Sequence, residues 1–118
     1  MTTLIIGNRQ RADRRADVVR TWTSGVTEDA ARLDFDHLED AWSLLTPKRW
    51  EILRAMAGQG PLAIREIARR VARDVRAVHS DVRALHQSGV IDKTTDGKMV
   101  LPYGVIKLDF TLDTLKAA

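Results

Sequence analysis

The chain has 118 residues, of which 44% are apolar and 30% are charged, a balance typical of one compact domain that folds without disulfides or metal. It contains no cysteine, which excludes thiolate nucleophiles, iron–sulfur clusters and thiolate zinc sites. No stretch approaches the roughly 20 apolar residues of a membrane span. No basic stretch precedes the apolar residues 4–6, so we expect a soluble, cytoplasmic protein without a secretory signal.

The formal net charge of +3 conceals an uneven distribution along the chain. Residues 1–46 carry 6 basic and 8 acidic side chains, whereas residues 47–107 carry 12 basic and 6 acidic ones. Arginine is more frequent than lysine in the basic segment, and its planar guanidinium suits phosphate oxygens. The charge pattern therefore favours a polyanionic partner, although a solvated basic surface has the same composition.

The first third of the chain predicts a strand, a helix and a second strand. Residues 2–6 are strand-like, and a turn is expected at residues 7–8. Residues 9–23 carry an apolar stripe at helical spacing, and residues 31–35 alternate apolar and charged side chains as a half-buried strand does. We therefore interpret residues 1–35 as an N-terminal strand-helix-strand extension.

The middle of the chain predicts four helices. Asp36, Thr46 and Asp74 are N-cap candidates, and Pro47 directly after Thr46 suits the first helical position. Glycines and short turns end these helices, and the apolar stripes on them are expected to form the core, with Trp42 and Trp50 among them. The predicted helices cover residues 36–45, 47–57, 64–72 and 74–88.

A hairpin is predicted directly after the last helix. Residues 90–94 and 98–101 flank an Asp96-Gly97 step, which is a strong signal for a tight turn between two strands. Residues 105–112 alternate well enough to form one more strand.

This order of elements predicts an α+β fold. It comprises a winged helix-turn-helix, the N-terminal extension and a C-terminal strand. The expected domain boundaries are 1–35 for the extension, 36–112 for the winged helix-turn-helix and 113–118 for a tail.

The helix over residues 74–88 has one face suited to the DNA major groove. Val78, Val82 and Leu85 lie on one side of a helical wheel, with Ser80 opposite them among small residues and long donors. We expect this helix to read bases and the wing over residues 90–101 to contact the backbone, although an ordinary solvated face has a similar composition. The residues predicted to contact DNA are Arg65, Arg69, Arg70, Arg73, Arg76, Ala77, His79, Ser80, Arg83, Gln87, Lys93 and Lys98.

Four segments of the chain resemble a known family. Residues 45–49, 64–70, 78–85 and 102–103 are similar to those of MarR-like winged-helix proteins, a group described as DNA-binding transcriptional regulators of bacteria and archaea. Some members occur beside toxin-like genes. The resemblance covers residues 33–112, and it implies DNA binding, a homodimer and an antitoxin-like role.

Other chemistries find little support in the sequence. His79 and His86 are two helical turns apart, which is too far for two ligands of one metal ion, and no phosphate-binding loop or nucleophile elbow occurs. We therefore expect no enzyme, no cofactor and no metal site. Two functions remain: a repressor that binds specific double-stranded DNA, and a protein-interaction module that holds a toxin-like partner protein through its terminal segments.

The terminal strands are candidates for a dimer interface. Residues 4–6, 33–35 and 106–110 are strand-like segments outside the helical core, and they could join two copies of the chain. The alternative is that these strands pair within one chain, and the apolar stripe of the helix over residues 9–23 could then still pack across a two-fold axis.

Overall fold

The structure, a computed structural model, describes residues 2–8, 30–112 and 114–115. The predicted helix over residues 9–23 lies outside these residues. The chain divides into a sheet unit, Met1–Ala41 with Val105–Ala118, and a winged-helix unit, Trp42–Gly104. In chain order the elements are β1 (Thr3–Asn8), β2 (Ala30–Phe35), α1 (Leu38–Leu44), α2 (Pro47–Met56), α3 (Ile64–Val71), α4 (Val75–Ser88), β3 (Asp92–Lys93), β4 (Met99–Val100) and β5 (Val105–Asp109).

The sheet unit contains a parallel sheet in the order β2-β1-β5. Thr3 pairs with Ala30 on one side and with Val105 on the other, so β1 is the central strand. The terminal strands therefore pair within one chain, as the alternative to strand-mediated dimerisation predicted. Parallel neighbours need a long connection between them, and the chain between the neighbours β1 and β5 includes β2 and the whole winged-helix unit.

One face of this sheet is apolar. Leu4 and Ile6 are 2% and 0% exposed, and each such burial contributes about 2 kcal/mol to stability. Leu33 and Leu108 are in register with Ile6 on the same face. On the opposite face Arg32 forms an ion pair with Asp34 at 3.0 Å. The alternation in residues 31–35 therefore predicted this strand correctly.

The turn predicted at residues 7–8 is wrong, because both residues belong to β1. A Cβ atom on Gly7 would lie only 2.6 Å from the carbonyl oxygen of Asp109, so glycine here permits the close approach of β5. Asn8 continues the ladder with its side chain, since its Nδ2 donates to the Thr111 carbonyl at 2.7 Å and its Oδ1 accepts from the Thr111 N–H at 3.3 Å.

The winged-helix unit has its core between α2, α3 and α4. The fully buried side chains come from all three helices and from the segment after α4: Ile52, Met56, Ile67, Val78, Val82, Leu85, Val90 and Ile91. Trp50 is half-buried, but Trp42 is 64% exposed, so its predicted place in the core is wrong. The helical stripe on α4 begins at Val78, since Val75 in the first turn is 45% exposed.

The helix boundaries follow local chemistry. Thr46 caps α2 as predicted, with its Oγ1 accepting from the Arg49 N–H at 3.2 Å, and Pro47 is the first helical residue. The turn between α3 and α4 places Ala72 at φ 53°, a left-handed conformation that costs a residue with a Cβ about 1 kcal/mol. Asp74 precedes α4 with extended backbone, and its side chain forms no capping hydrogen bond.

The wing is shorter than predicted, since β3 and β4 have two residues each. Val90 and Ile91 are fully buried, so they complete the core of the unit instead of extending the wing. Leu62, in the connection between α2 and α3, exchanges two backbone hydrogen bonds of 2.8 Å with Met99. The sequence did not predict this contact with the wing, because an isolated bridge leaves no periodic pattern. In the part of the chain that the structure describes, no helix is long and apolar enough to cross a membrane.

Candidate nucleic-acid interface

The outward side of α4 is as polar as the sequence predicts. The buried side chains Val78, Val82 and Leu85 fix the rotation of the helix. The six predicted contact residues on this helix are all exposed, and we call them the recognition face: Arg76, Ala77, His79, Ser80, Arg83 and Gln87.

Arg76 and Arg83 are the long cationic side chains of the recognition face. They are seven residues apart, which places them on one side of the helix about 10 Å apart along its axis. Among the described residues, neither guanidinium forms a hydrogen bond or an ion pair with an acidic side chain. Ala77 and Ser80 between them are small, so an incoming base edge could approach the helix closely.

Asp81, on a different side of α4, holds two arginines. Its Oδ1 accepts from the Nε of Arg49 in α2 at 3.0 Å, and its Oδ2 accepts from the Nη2 of Arg73 at 2.8 Å. We call these three residues the Asp81 cluster. Their side chains are 16–20% exposed. Burial opposes ionisation of Asp81, but the hydrogen bonds from Arg73 and Arg49 outweigh it and lower the pKa of this carboxyl group.

The Asp81 cluster also reaches the end of α1. The Nη1 of Arg49 donates to the carbonyl oxygens of Ser43 and Leu44, each at 3.1 Å, and these groups lie at the C-terminal end of that helix. Arg49 therefore connects the end of α1, helix α2 and helix α4. Sequence reasoning missed this cluster, whose signal is an acidic residue beside the apolar stripe of a basic helix.

Arg73 is predicted to contact DNA, but its side chain is only 17% exposed and is bound to Asp81. Its Nη1 is buried without a hydrogen-bond partner among the described residues. This placement favours a role in holding the turn between α3 and α4 against α4.

The arginines of α3 are partly neutralised by Glu66. Glu66 accepts from the Nε of Arg69 at 2.9 Å and from the Nε of Arg70 at 3.0 Å, and these hydrogen bonds lower its pKa to about 2. Arg70 also donates to the Oε1 of Gln59 at 2.7 Å. The Arg69 side chain is 72% exposed, so solvent weakens its ion pair. Arg65 on the same helix is exposed and has no such partner among the described residues.

The wing carries two exposed lysines. Lys93 precedes the turn and Lys98 follows it, so the hairpin brings them to the same end of the wing. The Nζ of Lys98 is 4.0 Å from the Oδ2 of Asp96, and both side chains are more than half exposed. A hydrogen bond from the Thr94 hydroxyl lowers the pKa of Asp96. The turn itself is closed by the Gly97 N–H, which donates to the Thr94 carbonyl at 3.0 Å.

No group of histidine and acidic side chains that could hold a metal ion occurs within residues 2–8, 30–112 and 114–115. His79 and His86 are both exposed on α4. The exposed side chains of the candidate site are hydrogen-bond donors and cations on α4 and the wing.

A trihelical core with a recognition face on its last helix and a hairpin behind it defines a winged helix-turn-helix. The chain belongs to the HVO_A0114 family, whose model matches residues 44–108. A similar solved structure is the multiple antibiotic-resistance repressor MarR from Listeria monocytogenes 4b F2365, with 13% identity and a TM-score of 0.46. The similarity covers 78% of this chain and 64% of the repressor, so the chain spans less than two thirds of that protein. No curated protein matches the sequence.

Proposed function

We propose that the protein is a transcriptional regulator, a repressor, that binds specific sequences in double-stranded DNA. Helix α4 enters the major groove, and the wing, formed by β3, β4 and the turn between them, lies on the phosphate backbone. The observation that carries this proposal is the recognition face, on which Arg76 and Arg83 flank small residues without acidic partners among the described residues. Unpaired guanidinium groups are suited to form bidentate hydrogen bonds with guanine edges or phosphates.

Intramolecular pairing divides the basic residues of the winged-helix unit into two groups. A guanidinium that already binds a partly buried carboxylate must break that contact before it can bind a phosphate, and this lowers its net contribution. Among the cations predicted to contact DNA, those without such a carboxylate partner in the described part of the chain supply the proposed contacts: Arg65, Arg76, Arg83 and Lys93. Lys98 and Arg69 join them, since their ion pairs are exposed and weak.

The proposed regulator acts by binding, without catalysis, cofactor or metal. It binds as a homodimer, because a single recognition helix offers few base contacts and a two-fold pair reads two half-sites about 34 Å apart. Removal of divalent cations with a chelator is therefore expected to leave its affinity for DNA unchanged.

The test is selection of bound sequences from a pool of random duplexes, followed by binding measurements at several salt concentrations. We expect enrichment of a two-fold symmetric motif and an affinity for it at least 10³-fold above that for random duplex. Equal affinity for selected and random duplexes would contradict specific recognition. Absence of DNA binding altogether would leave the protein-interaction module as the better interpretation.

A further inference from the structure

Among the strands that the structure describes, β5 lies at an edge of the sheet. Its main-chain groups alternate in direction, one residue facing β1 and the next facing away from it. The Val105 N–H donates to the Thr2 carbonyl, and both main-chain groups of Thr111 bond to the Asn8 side chain. In a parallel ladder both groups of one residue point to the same neighbour, and successive residues alternate. The odd-numbered residues from 105 to 111 therefore face β1, and Ile106, Leu108 and Phe110 present their N–H and C=O groups outward.

The side chains of β5 are unusually exposed for a parallel strand. Val105 and Leu108 are 46% and 44% exposed. An open edge with exposed apolar side chains is a template for pairing with another strand. The opposite edge strand, β2, differs, because its Arg32 and Asp34 are already paired along the strand at 3.0 Å and its Leu33 is half-buried.

We propose that two copies of the chain join by antiparallel pairing of their β5 edges about a two-fold axis at Leu108. This defines the interface of the proposed homodimer and so rests on that part of the proposed function. The two three-stranded sheets would become one sheet of six strands. In this register Leu108 lies opposite Leu108 of the second copy, and Ile106 lies opposite Phe110 of the second copy.

Charge selects this register among the neighbouring ones. With the axis at Leu108, Lys107 lies opposite Asp109 of the second copy, and the same pair forms twice by symmetry. An axis at Lys107 would place two lysines opposite each other, and an axis at Asp109 would place two aspartates opposite each other. A two-fold axis between two residues would place an even-numbered residue of one copy opposite an odd-numbered residue of the other. The odd-numbered residue directs its N–H and C=O groups toward its own β1, so the hydrogen bonds between the two copies could not form.

The pairing predicts a charge-swap experiment by sedimentation velocity at micromolar concentration. Lys107→Asp and Asp109→Lys each replace two attractive cross-strand pairs by two repulsive ones, so each variant is expected to dimerise at least tenfold more weakly than the parent chain. An equimolar mixture of the two variants restores opposite charges at both pairs and is expected to form the mixed dimer. The double variant, with both charges exchanged, is expected to dimerise as the parent chain does.

Circular dichroism separates loss of pairing from loss of folding, and the double variant tests the charge pairing even when a single variant does not fold. A Leu108→Pro variant adds an independent test, because it removes an outward N–H at an edge position where proline is tolerated, and it is expected to be monomeric. A parent chain that is monomeric at these concentrations, or single variants that dimerise as well as the parent chain, would overturn the β5 interface. Arg76→Ala is expected to remain dimeric, so a failure of DNA recognition is distinguishable from a failure of this interface.

Discussion

The recognition face and the Asp81 cluster share helix α4, which carries the first and contributes Asp81 to the second, yet the structure gives their arginines different surroundings. Arg76 and Arg83 extend from α4 into solvent, whereas Arg49 and Arg73 converge on one carboxylate at 17–20% exposure. Cations in the first setting are available to a polyanion, and those in the second hold helices together. The comparison shows that acidic neighbours, and not arginine content, decide which arginines of a basic segment are already paired within the chain.

The largest expected effect comes from removing the carboxylate of the Asp81 cluster. Asp81→Ala leaves two partly buried guanidinium groups without their common partner, which is expected to cost about 2 kcal/mol of folding free energy. Urea denaturation measures this loss. Asp92→Ala, which removes an exposed carboxylate from the wing, is the control and is expected to change stability by less than about 0.5 kcal/mol. Equal losses in both variants would show that the cluster does not stabilise the unit.

The cluster also predicts a pH dependence. The folded pKa of Asp81 lies below its ordinary value of 3.8, so its ionised form stabilises the fold above that pH, and this contribution is lost as pH falls through the folded pKa. The stability difference between the parent chain and Asp81→Asn is therefore expected to be constant near neutral pH and to shrink below about pH 4. A difference that persists undiminished to pH 2 would contradict the assignment of charge to this residue.

The next prediction separates the arginines of the recognition face, which are proposed to contact DNA, from Arg73 of the Asp81 cluster. Arg76→Ala and Arg83→Ala are each expected to weaken binding to the selected duplex by about 1–3 kcal/mol while leaving folding stability unchanged. Arg73→Ala is expected to lower the folding stability. Its affinity for the selected duplex should fall only by the fraction of the protein that is unfolded. Arg54→Ala, which removes an exposed arginine of α2, is the matched control for charge. Fluorescence anisotropy and denaturation of the same four variants test the division.

The smallest expected effect is at the wing. Lys98 forms an exposed ion pair with Asp96 at 4.0 Å, so a DNA phosphate can replace the Asp96 carboxylate at little cost in free energy. Lys98→Ala removes this cation. We expect slightly weaker binding to selected and random duplexes alike, and a salt dependence reduced by about one unit of slope. A loss confined to the selected duplex would indicate that Lys98 contacts a base.

The sequence predicted the winged-helix unit well because its signals are local. Thr46 before Pro47, the stripe from Val78 to Leu85 and the Asp96-Gly97 step each act within a few residues. The sheet unit depends on contacts that no local pattern encodes, such as the hydrogen bonds between Asn8 and Thr111, 103 positions apart. Strand identity was therefore predictable from alternation, whereas strand order and the role of residues 7–8 were not.

The candidate site shows the same limit. The exposed side of α4 followed from its apolar stripe, since a helix that buries Val78 and Val82 must present the opposite side to solvent. The apolar stripe could not predict which arginines form ion pairs, such as those of Arg73 with Asp81 and of Arg69 with Glu66. The helical spacing of Glu66 and Arg69 permits an ion pair, but only the folded chain shows which arginines remain without one.

The most direct test of DNA binding by the recognition face is the change in backbone amide signals of the isotope-labelled protein when the selected duplex is added. Amides in the first turns of α4 and in the wing, over residues 75–83 and 93–98, are expected to shift most, while those around Arg49 and in the sheet unit stay nearly unchanged. An Arg76→Ala variant is expected to show the same pattern only at higher DNA concentration. Shifts concentrated outside α4 and the wing would contradict the claim that the unpaired arginines of the recognition face bind DNA.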